Sequence, residues 1–135
     1  MSADPTGALL KAVRAVLASD PQIAAAVGDR ISTDWGAVMA PPYARISIPR
    51  TRPDDDECGE GAETLVKVHI WSRDGEIACS AIAGRVRAVL QGASFPVVGH
   101  DLGEVTYDGT DYRPDAHDEK LSMGIASFTI TTTAI

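Results

Sequence analysis

Residues 63–90, ETLVKVHIWSRDGEIACSAIAGRVRAVL, decide the fold, because a two-residue period gives way within them to a helical one. Val66, Val68 and Ile70 alternate with Leu65, Lys67, His69 and Trp71, the pattern of a strand with one buried and one wetter face. Asp74 then stands as a helix N-cap, a position worth on the order of 1 kcal/mol, and Glu76 in the first turn complements the helix dipole. Ile77, Ile82, Val86, Val89 and Leu90 are expected to supply the buried stripe of that helix, flanked by Arg85 and Arg87 and stopped by Gly92. Gly84 inside it costs about 1 kcal/mol relative to alanine, which predicts a close approach to the sheet or to a neighbouring subunit.

Upstream, residues 43–48 alternate in the same way, with Ala44, Ile46 and Ile48 on one side and Tyr43, Arg45 and Ser47 on the other. The two strands are expected to form an extended antiparallel hairpin. Before them, Arg30, Ile31 and Ser32 read as the start of an extended segment, and residues 33–42 have the Gly and Pro content of a loop. Asp4-Pro5 and Asp20-Pro21 each read as a helix start, a capping carboxylate before a proline whose missing N–H costs nothing there. Leu9, Leu10, Val13, Val16 and Leu17 give the first helix its apolar face, and a short second helix over residues 22–27 is expected to end at Gly28.

Between the hairpin strands lies PRTRPDDDECGEGA, residues 49–62, which has almost nothing to bury and is expected to be a long mobile loop. Downstream, residues 95–98 and 102–107 read as a hairpin turning at Gly99, His100 and Asp101. Residues 108–120 read as polar turns, and residues 121–132 as a final strand in which Leu121, Met123, Ile125, Ser127 and Thr129 alternate with Gly124, Ala126, Phe128 and Ile130. The fold class is therefore α+β: a mostly antiparallel sheet of about five strands with helices packed on one face and a long charged hairpin loop. At 135 residues a single domain over residues 1–135 is expected.

Composition excludes several functions. A net charge of -7 opposes adhesion to nucleic acid, which needs clustered Lys and Arg to neutralise phosphates. The chain has two cysteines, Cys58 and Cys79, few enough to favour a reducing compartment over a disulfide scaffold. No apolar run approaches the roughly 18 residues that span a bilayer, and the N-terminal residues lack a signal-peptide pattern. The best metal-ligating candidates are His100, Asp101, Asp108, Asp111, Asp115, His117 and Asp118, carboxylates and imidazoles of the kind a divalent cation takes. Their spacing follows no known ligand pattern, and a solvated acidic loop is the alternative reading. His69 beside Trp71 is a candidate general base without an identifiable partner. No phosphate loop, nucleophile elbow or catalytic-thiol signature is present, so no enzyme, cofactor or metal is expected.

In order along the chain, SDPQIAAAVGDRIS, APPYARIS, the stretch at residues 63–90, PVVGHDLGEV and YRPDAHDEKLSMGIASFTI resemble the small tail-terminator or tail-completion proteins of long-tailed phages and gene transfer agents. The most specific part is HIWSRDG leading into the third helix and then GHDL. The resemblance implies a structural virion protein of the tail or neck, assembled in the host cytoplasm: a homo-oligomeric ring, usually a hexamer. Such a ring caps the tail tube, joins it to the head-tail connector or stopper protein, and lets DNA pass through its lumen without specific binding, with no membrane involved. Another neck protein, a stopper or adaptor, is the nearest alternative, and a small metal-dependent enzyme using His100 and Asp101 a more distant one. Arg50, Arg52, Asp54, Asp55, Asp56, Glu57 and Glu60 are the expected contacts to the lumen or to a neighbouring ring; a solvated loop tip is the competing reading.

Overall fold

A computed structural model describes residues 4–36, 38–55 and 59–135. The elements run α1 (Thr6–Ser19), α2 (Pro21–Val27), β1 (Ile31–Ser32), β2 (Tyr43–Pro53), β3 (Gly61–Ser72), α3 (Gly75–Leu90), β4 (His100–Pro114) and β5 (Ser122–Ala134). The strands form one five-stranded sheet in the order β1-β2-β3-β5-β4. Only β1 and β2 pair in parallel; β2–β3, β3–β5 and β4–β5 are antiparallel. The expected α+β class and mostly antiparallel sheet are thus found.

The alternation read from the sequence sets the two faces of the sheet. Ala44 and Ile46 of β2, Val66, Val68 and Ile70 of β3, and Ala126, Phe128 and Ile130 of β5 are buried. They meet Leu9, Val13 and Leu17 of α1, spaced four apart as one helical face requires, and the buried side of α3. Asp20 caps α2: its carboxylate accepts from the Ile23 N–H at 3.0 Å, Pro21 opens the helix and Gly28, at φ +61°, closes it.

Six expectations are corrected. Residues 49–62 are not one long loop, because β2 continues to Pro53 and β3 starts at Gly61, with Thr51, Arg52 and Pro53 opposite Thr64, Glu63 and Ala62. An irregularity between Ser47 and Arg50 shifts the register and admits Pro49. A ladder is held by backbone bonds, so it tolerates a stretch with little to bury once β5 backs β3 along its full length. Likewise, the hairpin expected over residues 95–107 is a tight turn closed by a single bridge from Val97 to His100. The segment read as polar turns is instead the second half of β4, which pairs with β5 as far as Pro114 and Ser122. β4 is an edge strand, so its polar side chains meet water and carry no strand periodicity.

The other three concern α3. Asp74 makes no side-chain capping bond; the preceding Ser72 hydroxyl accepts from its N–H at 3.1 Å. The buried face of the helix is Cys79, Ala83, Val86 and Leu90, while Ile77 is 87% exposed. The helix does approach the sheet closely, but not at Gly84, where a Cβ would meet open space. A Cβ on Gly124 of β5 would lie 3.1 Å from the Cys79 sulfur and 3.1 Å from the Tyr112 ring. Small residues at 79, 83 and 124 allow that approach, and Ile77 is left facing away, while Ile82 and Val89 pack half-buried against the core. The Cys79 thiol is buried, donates to the Ile70 carbonyl at 3.4 Å and is pushed above its ordinary pKa by burial.

Candidate assembly surfaces

Alternate residues of β2, β3 and β5 point away from the helices, and that face carries His69, Arg50 and Arg52, while the metal-ligand candidates lie on β4 and the turn after it. At its β2 end an aromatic and cationic cluster is built from three segments. Tyr43 stacks on Trp71 with ring centroids 4.8 Å apart, and His69 lies 5.7 Å from Trp71. Trp35, from the loop after β1, packs edge-on to His69 at 5.0 Å. The Arg45 guanidinium sits 5.6 Å from the Trp35 ring and 5.7 Å from each of Tyr43 and Trp71, within cation–π range. It also donates to the Trp35 carbonyl. Trp71 Nε1 donates to Asp115 at 3.1 Å, tying the β4–β5 turn to the same end of the sheet. Residues 33–36 are therefore pinned through Trp35, a role their composition did not reveal.

His69 is held neutral by this setting. Burial, and then the cations Lys67, Arg113 and Arg45, lower its pKa to about 4. Its Nε2 lies 3.2 Å from the Ser47 hydroxyl, while buried Nδ1 finds no partner among the described residues. A hydroxyl beside an imidazole resembles a nucleophile and its base, but a working pair needs a group on the other ring nitrogen to orient it. None is supplied here.

The neutral His69 makes stability pH-dependent. An unfolded histidine titrates near 6.5, so between there and about 4 the unfolded chain takes up a proton that the folded chain refuses. Stability associated with His69 is complete above the unfolded value and is lost as pH falls through this window. The urea midpoint of the His69→Gln variant should decline less than that of the parent between pH 6.5 and 4; parallel curves would show that His69 does not titrate this way.

The charged hairpin tip lies at the other end of the same face. Arg50 stands opposite Leu65 and Arg52 opposite Glu63, with which it forms an exposed ion pair. Arg50 has no ion-pair partner among the described residues. Asp54 N–H donates to the Gly61 carbonyl at 2.9 Å, and the Asp55 carboxylate accepts from the Gly61 N–H at 3.1 Å. A Cβ at Gly61 would press on the Asp54 carbonyl, which explains a glycine where the chain turns back. The Glu60 carbonyl accepts from Ala134 at 2.8 Å. Asp56, Glu57 and Cys58 lie outside the described residues.

The metal-ligand candidates are dispersed. His100 is buried and its Nδ1 lies 3.1 Å from the Val98 carbonyl, at the opposite end of β4 from residues 115–118. Asp101 and Asp111 are exposed on β4. Asp108 accepts from the Thr129 hydroxyl at 2.6 Å. Asp115 shapes its turn by accepting from the His117 and Asp118 N–H groups, each at 3.0 Å, which lowers its pKa, and Asp118 pairs with Arg73 at 3.2 Å. Among the described residues no three His, Cys, Asp or Glu side chains come together as a metal would require.

Among the described residues, the side chains read from the sequence are thus spread over a sheet face, its edges and the adjoining turns. No described helix is long and apolar enough to cross a membrane. No curated protein sequence matches the chain significantly. Its fold matches a chain in the virion of a native gene transfer agent particle with a TM-score of 0.81 and 21% identity, covering 97% of this chain and 98% of that one. The model of the family described as tail completion protein gp17 matches residues 11–133, which span all eight elements from α1 to β5. The chain therefore belongs to the tail completion protein gp17 family, and with it to the structural proteins of the phage tail.

Proposed function

We propose that the chain is a tail-terminator subunit. Copies of it form a ring, six in the arrangement implied by the sequence resemblance, that caps the tail tube, meets the head-tail connector and lets DNA pass through its lumen. The observation that carries this reading is the near end-to-end family match over residues 11–133. Two physical features support it. A sheet with helices on one face offers two different lateral edges, and unlike surfaces meeting head to tail build a ring when the rotation between copies closes. The net charge of -7 disfavours lasting contact with phosphates, as a channel for a sliding duplex requires.

Electron microscopy of particles carrying a labelled copy tests the reading. The label is expected at the head-tail junction, and particles made without the protein are expected to leave tails unjoined to heads. A label on the capsid, along the tube or at the distal tip would end it.

A further inference from the structure

We propose that neighbouring copies of the chain meet through opposite edges of the sheet, the acidic outer edge of β4 in one copy lying against the basic outer edge of β2 in the next. This rests on the ring reading above and names the surfaces that would build the ring.

The strand order puts β4 at one end of the sheet, and at the other end β1 covers only Ala44 and Arg45 of β2. From Ser47 to Pro53, β2 has no strand on its outer side. The two edges differ in sign. β4 carries Asp101, Glu104, Asp108 and Asp111, all exposed, against Arg113 as its one Lys or Arg. The uncovered part of β2 carries Arg50 and Arg52 and no carboxylate, Arg52 being paired with Glu63 of β3.

Both edges are also built against indiscriminate strand addition. Pro49 and Pro53 remove donors from β2, and its register shifts between Ser47 and Arg50. β4 shifts between Leu102 and Val105 and again between Tyr107 and Gly109. Prolines and bulges interrupt the ladder that an edge strand would otherwise offer. Recognition between copies therefore falls to the side chains. Two β4 edges repel, as do two β2 edges, so two-fold pairing through either edge is opposed and the head-to-tail arrangement is favoured. Asp54, Asp55 and Glu60 stand just beyond Pro53, so a β4 edge that slid past the end of β2 would meet like charge. Exposed ion pairs are individually weak; here they choose the partner and the register, and salt should loosen the assembly.

The test uses two charge-reversed versions of the full chain. One carries Arg50→Glu and Arg52→Glu, making both edges acidic. The other carries Glu104→Arg and Asp111→Arg, making both basic; neither of those carboxylates has a salt-bridge partner among the described residues. Circular dichroism establishes that each is folded. Assembly is measured by sedimentation at low salt and by capping of tails made without the protein. Each variant alone should assemble at least tenfold less well than the parent. Their equimolar mixture should recover, because every interface then joins an acidic edge to a basic one, with the two versions alternating.

Variants that assemble alone like the parent would overturn the edge pairing and leave the ring reading standing. So would folded variants whose mixture fails to recover. A parent that assembles neither in solution nor on tail ends would remove the ring reading and the edge pairing together. Loss of duplex-DNA retardation on Arg50→Glu/Arg52→Glu with assembly unchanged would assign the basic edge to nucleic acid and overturn the proposal.

Discussion

Replacing Phe128 by alanine should remove about 3–5 kcal/mol of stability, a large share of the roughly 5–15 kcal/mol that holds a domain of this kind together. Phe128 is fully buried on β5, between Val66 of β3 and Tyr107 of β4. Its ring lies 5.5 Å from that of Tyr107, and the Arg87 guanidinium covers the outer side of the Tyr107 ring at 4.3 Å. Truncation there opens a cavity where the sheet meets α3, and flanking strands cannot collapse into it without breaking their ladders. The natural control is Ile77→Ala, an equally apolar deletion on an exposed helix position, expected to change stability by about 0.5 kcal/mol or less. Urea unfolding followed by circular dichroism separates the two. Equal losses would mean that the burial pattern of α3 is wrong.

The second large effect is expected from Asp20→Ala. The carboxylate of Asp20 is shared between two tasks in different layers of the protein. It caps α2 through Ile23 N–H, and it takes a two-pronged ion pair from Arg85 of α3, with Nε at 3.0 Å and Nη2 at 2.7 Å. Alanine removes both and leaves the half-buried Arg85 side chain unpaired. A fall in Tm of several degrees is expected, with Asp20→Asn intermediate because it keeps a capping oxygen and loses the charge. The Arg85 hydrogen bond and the Ile23 N–H lower the Asp20 pKa to about 2. The stabilisation is therefore complete above the ordinary carboxylate range near 3.8 and is lost as pH falls through about 2. The penalty of Asp20→Ala should shrink over that interval; a penalty independent of pH would mean that the charge contributes nothing.

Among the described residues, the acidic side chains of β4, the hairpin tip and the β4–β5 turn, where they are engaged, are held by backbone N–H groups, by Thr129, by the Trp71 indole and by Arg73. Carboxylates used this way set local geometry and surface sign.

Much of this was legible in the sequence, and the parts share a cause. A strand or helix with one face in the core repeats its apolar residues at the period of its backbone, so β3, the start of β2, α1 and the inward set of β5 could be read directly. The Asp20-Pro21 and Gly28 signals worked because they act through bonds within a few residues. The resemblance of residues 63–90 to tail-completion proteins likewise pointed to the family before any coordinates. What the tertiary structure decided was whatever depends on partners distant in the chain. Residues 108–114 are a strand because β5 offers them a ladder, while their own composition reads as turn. Residues 50–53 extend β2 because β3 and β5 continue beside them. The buried face of α3 turned from Ile77 to Cys79 and Ala83 because Gly124 of β5 lets the helix come close, and local periodicity cannot see a glycine 45 residues away. The opposite signs of the two sheet edges belong to this second class as well: Arg50 and Glu104 are unrelated in sequence, and only the order β1-β2-β3-β5-β4 sets them at opposite ends of one sheet, where charge can select one neighbour on each side.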